Sequence, residues 1–442
     1  MTEHLNPLRF KRHLPFVIAY LLAGLLIAGR CTAQNGTLAE PFPAPAPNAA
    51  LHYQRAMLHL ARMDDDQARL LSKPIWEVLP APAAKQLPRD VNSLLRRGRF
   101  ATQSAATGSR TAECNFGIDF SELGSAAQLP HVEGMVHLGR LLTLRGAHAE
   151  ARGEWEEAAI IYFDGLRMGR HLTHQSTLLE AIAGIEILRN NYFALARWGA
   201  RCPSRPLVAR AFGLLESMQG TLVQPSQVLA RETSIMSLEF DGLREAYPDG
   251  NWAKMILASL NEEPTGDRDK DVEKAIALCV ERGVPRDVFS SSESFYEYVD
   301  KLQVTAHRFA ESVTACVTLP PRSRLQRAEA LSRKYSKLIT ILASDTLVDP
   351  VEIGTLLAEH EAELIVARLA LAVSANKEDA TFPESLRDVE SRFGGDVPVN
   401  PYSRDPVSYR QLEDGRHFEL TIPRLGALPE VNFRSLTPVA AQ

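Results

Sequence analysis

Residues 178–198, LLEAIAGIEILRNNYFALARW, decide the fold class. Leu179, Ile182, Ile185, Leu188, Tyr192 and Leu195 recur at steps of three and four. That spacing lays one apolar stripe along a 3.6-residue helix, whereas a half-buried strand would alternate every second residue. Pro203 follows, and the residue before a proline is pushed out of helical geometry, so the helix stops there. Outward from this segment the same periodicity continues. Upstream, Val132 to Leu172 reads as a helical hairpin. Downstream, helices are expected over 206–220, 226–247, 271–282, 291–318, 325–342 and 351–374, with a loop rich in Gly, Pro, Asn and acids over 247–269. Breaks rich in small residues and proline fall at 80–88 and 107–129. At the upstream limit Asn48 is an N-cap candidate, with Tyr53, Met57 and Leu60 on one face behind it. The fold class is therefore mainly α, an irregular, repeat-like body of helical hairpins over residues 48–375.

The character changes at Asn376. Thr381-Phe382-Pro383-Glu384-Ser385-Leu386 starts a short helix, and Gly394-Gly395 is a turn. Val407 to Leu412 and His417 to Ile422 then read as two strands joined at Asp414-Gly415, a dipeptide suited to the positive φ angles of a tight hairpin. Residues 376–442 are thus expected to form a small α/β cap.

The N-terminus reads as an export segment. Arg9, Lys11 and Arg12 precede an uncharged apolar run, residues 14–29, LPFVIAYLLAGLLIAG. Basic residues followed by such a run direct a chain into the translocation machinery. Two fates are open. Cys31-Thr32-Ala33 offers a small-x-Ala cleavage pattern, making 1–33 a signal peptide; alternatively the run stays as a membrane anchor, although it is slightly short of the about 17–25 residues a span needs. Lipid attachment at Cys31 is disfavoured because Arg30 stands where a small residue belongs. Residues 34–47 form a linker in which Pro41, Pro43, Pro45 and Pro47 favour extended polyproline II. The predicted location is periplasmic, cell-surface or secreted, with membrane contact only through residues 14–29.

The net charge of −5 becomes −8 once residues 1–33, with four basic groups and one acidic, are removed. A mildly acidic chain lacks the concentrated basic face that phosphate backbones require, so nucleic acid is not an expected partner. The one dense basic spot, Leu94 to Arg99, reads as a solvated helix end. Cys114, Cys202, Cys279 and Cys316 show no zinc spacing; an exported chain permits disulfides, with three pairings open, and four unpaired buried thiols are an equal alternative.

Leu142, Gly146, Ala149, Gly153, Trp155, Ala158 and Tyr162 fall at the helix-contact spacing of a tetratricopeptide repeat, which this hairpin resembles. Arg170 stands in place of that family's closing proline, and no 34-residue period recurs, so a stacked array is not implied. From Leu357 to Ile422, an Ala/Leu-rich helix leads to FPESL, NPYSRDPVSYR and DGRHFEL. This order is similar to the C-terminal caps of type II secretion pseudopilins and to the tails of a group of large exported bacterial proteins, whose middle regions resemble Leu138 to Trp198. Pseudopilins place the cap close behind one N-terminal apolar helix, whereas over 300 residues intervene here. The resemblance implies a fold for the last ~65 residues, as analogy, and not pilus assembly. Some pseudopilin caps bind calcium at an equivalent loop; here Asp396, Asn400 and Asp405 offer three oxygen ligands where calcium takes about six to eight, so the loop reads as ordinary Asx turn chemistry, with calcium as the alternative.

No GxSxG, SxxK, HExxH, phosphate loop or GxGxxG pattern occurs. His171 and His174 sit three apart on one helix face with Glu180 six further on, a weak metal-ligand set without the third close ligand of a catalytic site. The competing reading is a helix C-terminus where histidines complement the dipole. Glu359, His360, Glu361 and Glu363 read as a solvated face, Asp64-Asp65-Asp66 as a helix cap, and Trp155 with Tyr162 as core. No catalytic residue and no cofactor is predicted. The function expected is a non-enzymatic interaction or structural module with a protein partner. The alternatives are a metal-dependent hydrolase assembled from distant residues, and a pilus-like or secretion-associated component.

Overall fold

The computed structural model describes residues 47–78, 87–120, 127–174, 177–247, 251–260, 262–338, 348–413 and 415–435. The export segment, the linker up to residue 46 and Asp414 lie outside the described residues. Local sequence signals start most helices. Asn48 Oδ1 accepts from Ala50 N at 3.0 Å and opens α1 (Ala49–Leu60). Asp64 does the same for α2 (Asp65–Ser72), accepting from Gln67 N at 3.0 Å, as the acidic triplet predicts. The single turn α3 (Ile75–Val78) is followed by α4 (Arg89–Arg97) and α5 (Arg99–Ser109), which breaks from α4 at Gly98.

The predicted hairpin is α6 (His131–Ala151) and α7 (Trp155–Leu172), turned at Gly153, whose φ of +78° is open to glycine and strained for other residues. A side chain at Gly146 would strike the Tyr162 ring, so the small residue lets α6 and α7 close on each other. Next comes α8 (Leu178–Arg201), held at its start by a reciprocal Thr177–Glu180 capping box and ended before Pro203. It crosses α7 backbone to backbone. A Cβ on Gly184 would lie 2.7 Å from the Gly169 carbonyl oxygen.

The outer helices are α9 (Arg205–Met218), α10 (Pro225–Ala246), α11 (Asn251–Ser259), α12 (Arg268–Glu281), α13 (Ser292–Val317) and α14 (Pro321–Lys334). The expected 247–269 loop therefore contains a helix: Trp252, Ala253 and Leu257 are buried and outweigh the Gly/Pro-rich flanks. Finally α15 (Pro350–Ala375) ends where the composition changes.

The core has two parts. One gathers α1 to α9, most of α15 and the C-terminal segment; the other gathers α10 to α14. The second also takes in Ile185 of α8 and Ile353 and Leu357 of α15, so these two helices tie the parts together. This position explains a departure from the simple stripe. α8 packs on α6, α7 and α15 and is enclosed on nearly all sides, with Asn190, Asn191 and Arg197 buried, while Leu179 at its first turn is exposed. Among the described residues no helix is long and apolar enough to cross a membrane.

The C-terminal segment begins with a 3₁₀ helix, Leu386–Phe393, capped by Ser385, and turns at Gly394 and Gly395 (φ +72° and +110°). The predicted strands are β1 (Ser408–Leu412) and β2 (His417–Ile422), with Gly415 at φ +86° between them. A third, β3 (Val431–Arg434), was not expected. The sheet is antiparallel in the order β1-β2-β3, with Tyr409 opposite Leu420 and Leu420 opposite Phe433. Phe382, Tyr402, Phe418, Leu420 and Phe433 are buried in the same core as the helices, since β2 and β3 pack on α15. The change at residue 376 is one of secondary structure; the core runs through it.

Candidate functional site

The middle of α7 and the end of α5 meet over a fully buried carboxylate. Asp164 is 0 % exposed and binds two guanidinium groups. Arg110 Nε and Nη2 donate to it at 3.0 and 2.6 Å, and Arg167 Nη1 donates at 2.9 Å. This bidentate geometry fixes the Arg110 plane, and the hydrogen bond to Asp164 pushes the Arg110 pKa up. Both arginines line an open-sided groove of about 710 Å³ between α7, α9 and residues 109–112. That volume lies within the range of ~300–1,000 Å³ usual for ligand sites.

Sequence spacing builds the groove. Glu156, Ile160, Phe163, Arg167 and Arg170 follow one another at steps of three and four along α7; Leu207, Arg210, Leu214 and Met218 do so along α9. The floor is apolar, and two of its residues are wet: Ile160 is 45 % and Leu214 37 % exposed. The rim is basic. Glu156 neutralises Arg210, whereas the guanidinium of half-buried Arg170 has no hydrogen bond or ion pair among the described residues.

His171 also lines this groove, and its ring is already used. The Tyr53 hydroxyl and His171 Nδ1 share a hydrogen bond at 2.8 Å, and the ring also bonds to the Thr111 backbone. Burial, with Arg170 and His174 nearby, pushes His171 down to about 4, so it is neutral near pH 7. It pins residue 111, beside Arg110, onto α7.

The other two metal candidates have different partners. His174 Nε2 donates to the Thr221 carbonyl at 2.6 Å. Glu180 accepts from Thr177 N at 2.8 Å and meets His131 Nε2 at 2.8 Å. Burial pushes Glu180 up, but hydrogen bonds from His131 and Thr177 hold it below the usual carboxylate range. The structure thus gives His171, His174 and Glu180 three separate sets of partners. Among the described residues no group of three or more His, Cys, Asp or Glu side chains is placed to hold a metal ion. In the loop of Asp396, Asn400 and Asp405, Asn400 Oδ1 accepts from Tyr402 N at 2.8 Å and Asn400 N donates to the Asp405 carbonyl at 2.8 Å, the turn-bracing pattern, while Asp396 is exposed.

The charged stretch 359–363 departs from the solvated face expected of it. Arg189 of α8 clamps Glu363 (Nε to Oε2, 2.7 Å) and reaches Glu359 at 3.3 Å, and Arg324 of α14 binds Glu361 at 2.6 Å. His360 between them is buried against Tyr192, ring centroids 5.6 Å apart. A signal was present: His360 lies on the Leu357, Leu364, Leu371 stripe of α15. The groove arginines carried no such signal, because they come from three separate segments.

Cys114, Cys202, Cys279 and Cys316 are all unpaired thiols. Burial pushes Cys114 up to about 12 and Cys279 to about 11, and raises the other two. At neutral pH the reactive thiolate is therefore scarce. Iodoacetamide at pH 7.5 should leave these four unmodified by mass spectrometry in the folded protein and alkylate all four in 6 M guanidinium; rapid labelling of the native chain would contradict this burial. Comparisons of the chain with family models, curated proteins and solved structures give no match.

Proposed function

We propose that this chain is an exported, non-enzymatic binding protein, and that it engages a partner protein along the groove between α7 and α9. One observation carries the reading. Two large aliphatic side chains, Ile160 and Leu214, are left wet on the floor of a concavity that is otherwise well built, and a rim of arginines surrounds them. Contiguous wet apolar surface ringed by polar groups is a feature of interaction sites. The absence of common nucleophile and cofactor motifs from the sequence is consistent with binding rather than catalysis.

Purification of the mature chain from its own cells, alongside Ile160→Asp and Leu214→Asp variants, tests this. Both positions are exposed enough that the substitutions should change stability by only about 0.5 kcal/mol, which circular dichroism and melting would check. The expected result is a partner that co-purifies with the parent chain and is lost from both variants. Equal recovery from all three would remove the groove from the function.

A further inference from the structure

We infer that the segment received by this groove is acidic as well as apolar, with its carboxylates about three to five residues beyond the apolar side chain that sits on the floor. The inference rests on the binding reading above and adds a chemical rule to it. The charge along the groove is unequal. At the start of α7, Glu156 and Arg210 neutralise each other. Towards its end, Arg110 and Arg167 share a single carboxylate, Asp164, which is itself fully buried, and Arg170 lines the groove with no carboxylate partner among the described residues. Among the described residues, three guanidinium groups against one carboxylate leave an excess of two positive charges at that end.

The donors are available. Arg110 spends Nε and Nη2 on Asp164, and Arg167 spends Nη1. A guanidinium carries five N–H donors, so both keep spare ones. Asp164 acts as a positioning residue, since it fixes two forks that would otherwise be mobile. Ile160 precedes Arg167 by seven residues and Arg170 by ten. At 1.5 Å per residue this is about 10–15 Å, the span of about three to five residues of extended chain.

Other anions fit less well. An acyl chain would lie half in water in an open-sided groove, whereas small-molecule sites bury ~70–90 % of their ligand. A nucleic acid strand would find no stacking platform, because Phe163, the aromatic side chain of the floor other than His171, is 3 % exposed.

Fluorescence anisotropy on the chain from residue 34 onward tests the rule. The probes are short unstructured peptides with two leucines followed four residues later by two glutamates, and counterparts with glutamine or lysine in place of glutamate. The glutamate peptide should bind at least about tenfold more tightly than the glutamine peptide and weaken with added salt. Arg170→Gln should remove most of that preference and leave the glutamine peptide unaffected. Equal affinity for all three peptides, an unchanged preference in Arg170→Gln, or no binding of the glutamate peptide overturns the charge rule. The groove reading is judged separately, by whether Ile160→Asp still abolishes co-purification. Binding of laurate in competition with the glutamate peptide would instead assign the groove to amphiphilic carboxylates.

Discussion

Lowering the pH from 7.5 to 5 should withdraw about 4 kcal/mol of stability through two histidines alone, His360 and His171. Burial, with Arg189 and Arg324 close by, pushes His360 down to about 3, and burial pushes His171 to about 4. Both are neutral in the folded state at pH 5, whereas in the unfolded chain each takes up a proton near pH 6.5. The unfolded state then binds more protons, so stability falls with pH across the window from 6.5 down to each folded value. The slope is about 1.4 kcal/mol per pH unit per histidine, or about 2 kcal/mol each at pH 5. Glu180, with its pKa depressed, loses its contribution only below the ordinary carboxylate range and does not enter this window. Glu232, Glu359 and Glu361 are raised by burial and act in the opposite sense, because the folded state takes up their protons first. The difference between parent and His360→Gln therefore isolates the effect better than the total does. Urea titrations at the two pH values should show the variant losing about 2 kcal/mol less than the parent on acidification. Parallel pH dependences would mean that His360 is hydrated or charged in the folded protein.

The same histidine shows where sequence reading succeeds and where it stops. Signals that act within a few residues are legible. Asn48 and Asp64 cap helices, Gly153 and Gly415 turn the chain, and Pro203 ends α8. Each depends on backbone geometry that the neighbouring residues dictate. What depends on contacts distant in sequence is not legible. The stretch at 359–363 has the composition of a solvated face, and it turns inward because Arg189 and Arg324, over thirty residues away, supply the opposing charges. β3 was missed because four residues carry too little alternation to stand out; pairing with β2 makes it a strand. The groove follows the same pattern. Each apolar position on α7 and α9 is readable as helix periodicity, yet nothing in either helix announces that the two faces leave a gap, or that Arg110 enters it from a third segment.

Replacing Glu150 with Ala should cost about 3–5 kcal/mol. Glu150 closes α6 with a carboxylate that is 0 % exposed. The Tyr162 hydroxyl of α7 donates to Oε1, Arg201 Nη1 of α8 donates to Oε2 at 2.8 Å, and Arg197 Nη2 lies 3.8 Å from Oε1. Three helices therefore converge on one negative charge. Its removal leaves the buried Arg197 and half-buried Arg201 guanidinium groups without the charge between them, and a buried phenol without its acceptor. Burial already pulls the Arg201 pKa down, which shows how poorly hydrated that charge is. Glu150→Gln keeps the shape and one acceptor, so its cost should be smaller, about 1.5–3 kcal/mol. Because the group is dry, 1 M NaCl should change neither value much, in contrast to the exposed Lys301–Glu297 pair. The triple variant Glu150→Met, Arg197→Met, Arg201→Met should recover most of the loss, since exchanging a whole buried ionic group for apolar side chains is often close to neutral. Chemical denaturation of the four proteins measures this. A loss below about 1 kcal/mol in Glu150→Ala would mean that water reaches the cluster and that α6, α7 and α8 are held by packing alone. A triple variant no more stable than Glu150→Ala would mean that the network, rather than the volume it fills, determines how the three helices meet.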